Sequence, residues 1–321
     1  GEYGNRLDMM KKGLFHSNHV VKLGSHISKQ LYDMPLRSSV SRLETFVNCP
    51  FSHFVNFGLK PKERKEFKVE LPDIGLLFHE AMERFSYKLK EEGIPWRDVD
   101  KGTSDRLVDR IIEEVAFNYG YNIFKSTNRY KYLVKKLNRV CKRAAWTLST
   151  HVKNGDFEPQ LYELDFSDGK HHDVPPIVLA LPSGEEIRLE GRIDRVDIYK
   201  DGKSSYVKVI DYKTGKKAFS LSEAYYGLQL QLVRYMDAVL SNSKYLKISD
   251  AYPGGFFYFR LDDPMVEDTG DIEDIEKQIL KKLKLDGMAI KDLNIIKALD
   301  KDIEILVQHS LLQTEKLEAP R

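Results

Sequence analysis

Cysteine is nearly missing from this chain: Cys49 and Cys141 are the only two among 321 residues. That excludes a disulfide scaffold, and any all-cysteine zinc or iron–sulfur site built by this sequence alone. No apolar run approaches the roughly 20 residues that a membrane-spanning helix needs. The start, Gly1-Glu2-Tyr3-Gly4, is polar and has neither a signal-peptide pattern nor an initiator methionine, as expected of an excised fragment. A reducing cytoplasm is the expected location, with no membrane partner. Excess charge is missing too, since 51 Lys and Arg face 49 Asp and Glu for a net charge of +2. The whole-chain balance therefore points to no partner, and the distribution of charge has to be read instead.

Hydrophobic residues make up 41% of the chain and charged residues 31%, the mixture of a globular protein with enough chain for one large domain or two modest ones. Residues 1–36 carry little periodicity beyond one amphipathic turn through Met9, Met10, Leu14 and Phe15, and are expected to form an arm or the end of a preceding domain. A helix is expected from Ser41, which has capping-box spacing to Glu44, up to Cys49-Pro50. Ile74, Leu77, Phe78, Ala81, Met82, Phe85 and Leu89 recur at helical spacing and predict a helix over 74–92, ended by Gly93-Ile94-Pro95. Residues 104–153 read as helical with short breaks, 160–213 as strands, and 222–240 as one helix opened by Ser220 and Glu223. Gly254–Phe259 has the look of a buried strand, and the charged tail from Ile272 reads as helical.

From Lys125 to Lys153 there is no acidic residue, while Lys135, Lys136 and Arg139 lie among other basic side chains and aromatics. Such a stripe suits phosphate backbones, with aromatics to stack bases. Its bland reading is a solvated helix face over a core of Leu133, Leu137, Val140 and Trp146.

The densest signal is a hairpin over 189–213. Centring its turn between Gly202 and Lys203 sets Ile198 opposite Val207, Val196 opposite Val209, Tyr199 opposite Tyr206 and Asp197 opposite Lys208. Carried one step further along the apolar face, the same register brings Asp194 opposite Asp211, with Lys213 two residues on. Facing carboxylates repel unless a cation lies between them, and a divalent metal with oxygen ligands would serve. Arg192 would then face Lys213, so the strands are expected to part beyond Asp194 and Asp211. Glu163, in a strand-like run before the hairpin, is a further acidic candidate.

Asp194 followed by Asp211-Tyr212-Lys213 resembles the bipartite PD-(D/E)xK nuclease motif. Gly191-Arg192-Ile193-Asp194-Arg195-Val196-Asp197 and Asp211-Tyr212-Lys213-Thr214-Gly215 resemble its RecB-like branch in particular. Gly75-Leu76-Leu77-Phe78-His79 upstream and Gln231-Leu232-Val233-Arg234-Tyr235 downstream complete that branch's motifs in order. The resemblance implies an α/β restriction-endonuclease-like core, a mixed central sheet flanked by helices, over residues 37–265, with a C-terminal helical tail over 266–321. It implies Mg²⁺ or Mn²⁺ held by His79, Asp194, Asp211 and the backbone carbonyl of Tyr212. Catalysis would fall to Lys213 with Asp211 and Asp194, while Gln231 and Tyr235 position the lysine or the DNA backbone.

Ser39–Phe51 and Asp286–Leu293 are also similar to AddB, the B-subunit branch of bacterial AddAB helicase–nucleases. That likeness implies exonuclease action on single-stranded DNA in double-strand-break repair, and an A-subunit partner. No Walker A sequence is present to drive unwinding. In that branch the cysteine before proline is the first of four iron–sulfur ligands. Cys49 matches it, yet no cysteine follows Cys141, so Cys49 would be a ligand only where further chain supplies the others. A stand-alone RecB-like exonuclease and an inert DNA-binding scaffold of the same fold are the alternatives.

Overall fold

The structure is a computed structural model describing residues 2–17, 22–32, 35–62, 71–119, 124, 126–169, 172–215 and 217–301. Helices α1 (Glu2–Leu14) and α2 (Ser25–Leu31) lead into strand β1 (Leu36–Ser39), α3 (Val40–Asn48), α4 (Pro50–His53) and a π-helical turn. Helices α5 (Leu71–Glu91), α6 (Lys101–Asn118) and α7 (Asn128–Lys153) follow. Next come strands β2 (Glu158–Phe166), β3 (Ile177–Ala180), β4 (Glu186–Asp201) and β5 (Ser204–Lys213). The chain then forms α8 (Leu221–Tyr225), α9 (Gln231–Ser241), β6 (Ala251–Arg260), α10 (Ile272–Lys282), β7 (Asp286–Ala289) and α11 (Leu293–Leu299).

Among the described residues seven strands make one mixed sheet, ordered β1-β4-β5-β6-β7, with β2 and β3 also paired to β4. The α/β architecture expected from the motifs is therefore present. Strand alternation splits the core in two. Ile210, Tyr212, Phe257 and Phe259 face α5, α6 and α7, whereas Val196, Val207 and Val209 face α9. Helix α5 buries Leu77, Phe78, Ala81, Met82, Phe85 and Leu89, the stripe its sequence spacing marks. Gly93, with a φ of 67°, ends the helix because it enters the left-handed region at no steric cost.

Several local readings need correction. Ser39, not Ser41, caps α3 by accepting from the Arg42 amide, and the Glu44 side chain leaves its own helix altogether. The helix read over 222–240 is two helices, because Gly227 turns the chain at a φ of 80°. The tail is not all helical, since β7 pairs antiparallel with β6. That pairing is very close: a Cβ on Gly287 would lie 2.1 Å from the Phe256 carbonyl oxygen. Met9, Met10 and Leu14 belong to a helix longer than one turn, with Phe15 just past its end, and all four are exposed. Lys125, at the start of the acid-free stretch, and the tail beyond Lys301 lie outside the described residues.

Candidate active site

The β4–β5 hairpin has the register its residues specify: Val196 pairs with Val209, Asp197 with Lys208, Ile198 with Val207 and Tyr199 with Tyr206. Asp201 and Ser204 close a two-residue turn in which Gly202 has a φ of 60°. Pairing stops at Arg195–Ile210, one step short of the two aspartates, so the strands part where the like charges would meet. On its other edge β4 pairs with β2 from Ile198 to Gly191, past the point where β5 leaves, with Tyr162 opposite Arg195 and Leu164 opposite Ile193, which sets Glu163 beside Asp194. On β5's other flank Tyr258 of β6 pairs with Asp211. Glu163, Asp194 and Asp211 thus come from corresponding positions on three neighbouring strands. Glu163 itself is held in the left-handed region at a φ of 48°, a conformation that costs a non-glycine residue about 1 kcal/mol or more and clusters at functional sites. In the Gly191-Arg192-Ile193-Asp194 run, a Cβ on Gly191 would come within 2.7 Å of the Phe166 ring, so glycine lets β2 and β4 close up beside the carboxylates.

Helix α5 brings His79 to this row. Its Nδ1 lies 3.2 Å from an Asp194 oxygen and 3.9 Å from a Glu163 oxygen. His79, Glu163 and Asp194 each offer a ligand atom within 4.8 Å of the others. Burial alone would lower the His79 pKa, but the hydrogen bonds and charges of Asp194 and Glu163 outweigh it and raise it to about 10. The other Asp194 oxygen accepts a hydrogen bond from the Tyr212 amide at 2.5 Å. Asp211 is 2% exposed. Burial, and then the charge of Asp194, push its carboxyl up to about 7 against the opposing pull of Lys213 and His79. Lys213 Nζ contacts Asp211 directly. Gln231, opening α9, donates from Nε2 to Asp211 at 3.0 Å and to the Tyr235 hydroxyl at 2.9 Å.

All the hairpin and helix residues singled out in the sequence therefore converge, though not as one ligand shell. Glu163 stands with His79 and Asp194, while Asp211 is occupied by Lys213 and Gln231. Glu163 carries no motif of its own and is in the sequence only a further acidic candidate; its place beside Asp194 comes from the pairing of β2 with β4, whose register shifts between Pro159 and Leu161. The two carboxylates and one imidazole of Glu163, Asp194 and His79, with the Asp211 carboxylate alongside, suit a hard divalent cation.

The other candidates fare differently. Lys135 and Lys136 are exposed on α7, but Arg139 and Arg143 share the Asp263 carboxylate, each at 2.6 Å. Lys142 is bound to Asp109 at 2.8 Å. The acid-free stretch is thus partly neutralised by acids from α6 and from the segment after β6. Cys49 is half-buried between α3 and α4, where its sulfur accepts from the Ser52 amide at 3.4 Å. Cys141 is buried on α7, and burial pushes its thiol pKa up. Neither residue fits a four-cysteine cluster within this chain. Among the described residues no helix is long and apolar enough to cross a membrane.

Comparisons with known proteins agree with this geometry. The chain is 52% identical over 301 residues to the B subunit of the ATP-dependent helicase/deoxyribonuclease of Alkaliphilus metalliredigens, covering 93% of this chain and 26% of that protein. It is 51% identical over 303 residues to the same-named protein of Alkaliphilus oremlandii, covering 94% and 26%. The corresponding protein from Thermoanaerobacter pseudethanolicus is 42% identical over 300 residues, covering 93% and 26%. The chain thus spans about a quarter of the length of these curated relatives. The family model of the PD-(D/E)XK nuclease superfamily matches residues 37–312. With that match over most of its length, and with the two aspartates and the lysine gathered where β4 and β5 separate, the chain belongs to the PD-(D/E)XK nuclease superfamily.

Proposed function

We propose that this chain hydrolyses phosphodiester bonds of single-stranded DNA as an exonuclease, using Mg²⁺ or Mn²⁺. We further propose that it is the nuclease part of an AddB-type protein that works with an A-subunit helicase partner in cytoplasmic double-strand-break repair. The observation that carries the reading is the gathering of Glu163, Asp194, Asp211, His79 and Lys213 at the point where β4 and β5 part. The DNA substrate and the partner are inferred from the names of the relatives.

His79, Asp194, Asp211 and the Tyr212 carbonyl would hold the cation, with Glu163 as a further carboxylate. When bound, such an ion polarises the scissile phosphate and favours ionisation of a water. The chain's own residues do the rest. A protonated lysine has three donors and no lone pair, so Lys213 serves water or phosphate rather than metal. Gln231 and Asp211 hold the lysine's surroundings in place, and Tyr235 fixes Gln231. Nothing in the described residues offers a comparable site elsewhere.

Two variants test this. Lys213→Ala should lower cleavage of end-labelled single-stranded DNA by about 10²–10³-fold, the scale of losing one electrostatic donor, while calorimetric Mn²⁺ affinity stays near wild type. Asp211→Ala should lose metal and activity together. A closed single-stranded circle should survive where the linear strand is degraded. Wild-type cleavage by Lys213→Ala would remove Lys213 from the catalytic set, and a wild-type protein that cleaves no DNA would hand the reading to an inert scaffold of the same fold.

A further inference from the structure

The first turn of any helix leaves backbone N–H groups without partners, and an oxygen must meet them. At the start of α9 the residue in the capping position is Leu230, whose side chain has no oxygen and makes no capping bond. The oxygen comes instead from another helix. Glu44 of α3 accepts from the Leu230 amide at 2.7 Å and from the Gln231 amide at 3.1 Å, both through Oε1. Its other oxygen lies 3.8 Å from Lys217 Nζ, and its side chain is 15% exposed. A carboxylate at a helix N-terminus is also favoured by the helix dipole.

What Glu44 holds matters because Gln231 is the first residue of α9. Both hydrogens of the Gln231 side-chain amide are used, one on Asp211 and one on Tyr235. Tyr235 lies one turn along the same helix and cannot by itself fix where the helix begins. Gln229, buried just before the helix, ties the incoming segment to the Ala218 carbonyl and the Ser220 amide, each at 3.0 Å. Glu44 ties this segment to a helix far earlier in the chain.

We infer that Glu44 is a positioning residue for the nuclease site: by capping α9 from α3, it holds the Gln231 amide on Asp211. This links the α3 segment, which ends at Cys49, to the β5 carboxylate. The inference rests on the nuclease reading for its catalytic consequence, but the cap itself does not.

The test compares Glu44→Ala with Glu44→Gln, which keeps an acceptor oxygen and drops only the charge. In Glu44→Ala, kcat on linear single-stranded DNA should fall roughly 10- to 100-fold, as for a small misplacement of a catalytic group, with KM unchanged. Glu44→Gln should stay near wild type. Glu44→Ala combined with Gln231→Ala should be no worse than Gln231→Ala alone, since both remove one contact. The NMR signals of the Gln231 side-chain amide should be shifted in wild type and Glu44→Gln, and fall at free-glutamine positions in Glu44→Ala. Unchanged Gln231 signals in Glu44→Ala, or a Glu44→Gln variant as impaired as Glu44→Ala, would overturn the inference. Should wild type cleave no DNA at all, the nuclease reading fails and the Gln231 signals alone decide the role of Glu44.

Discussion

His79 and Asp211 show how far neighbours move an ordinary side chain. Between Asp194 and Glu163, His79 holds its proton up to about pH 10, and burial beside Asp194 raises Asp211 to about 7. A metal needs the opposite states: a neutral imidazole and an ionised carboxylate. Mn²⁺ affinity should therefore rise with pH, steeply below about pH 7, where both groups must give up protons, and less steeply above it, where only His79 does. Calorimetry in buffers of different ionisation enthalpy measures the protons released, and His79→Gln should remove about one of them. A metal affinity that does not change with pH would show that His79 and Asp211 stand outside the coordination shell.

The hairpin as an element has two faces with different chemistry. On the face away from the carboxylates, Asp197 binds Arg195 at 2.6 and 2.9 Å and Lys208 at 2.8 Å, all three nearly sealed from solvent. Trp96 lies 4.7 Å from the Arg195 guanidinium, adding a cation–π contact. Two cations share one anion here, so the residues are not equivalent. Asp197→Ala would leave two buried positive charges facing each other and should cost about 3–5 kcal/mol, or prevent folding. Lys208→Met leaves the Arg195–Asp197 pair intact and fills similar volume, so its cost should stay below about 1 kcal/mol. Chemical denaturation measures both, and equal costs would mean that the network is not organised around Asp197.

For the molecule as a whole, what counts is how charge close in sequence is redistributed by the fold. The acid-free stretch on α7 looks uniformly basic along the chain, yet Asp109 and Asp263 take up Lys142, Arg139 and Arg143. Lys135 and Lys136 are left exposed. Reversing the charge of these two lysines should weaken DNA binding on every sequence and lower the slope of log affinity against log salt by about 1–2. Arg139→Glu should also weaken stability, because it sets a like charge on Asp263. Binding isotherms at several salt concentrations would expose an unchanged slope, which would place the DNA on another face.

The hairpin register, the helix of His79 and the family motifs were legible in the sequence because each rests on local periodicity. Alternation of period two decides which side chains share a strand face, and a two-residue turn fixes the pairing. The like charges of Arg192 and Lys213 imply a parting of the strands beyond the two aspartates, whereas the ladder ends one step earlier, at Arg195–Ile210. Other features needed the folded chain. Glu163 joins His79 only because a bulged β2 lies on β4, and Glu44 meets α9 from 186 residues away. Local spacing pairs Glu44 with Ser41, but a carboxylate goes to whichever free amides the packing presents, and those belong to α9. The same holds for the basic stretch: its sequence sets the charges, and only the packing of α6 and the segment after β6 decides which of them remain free.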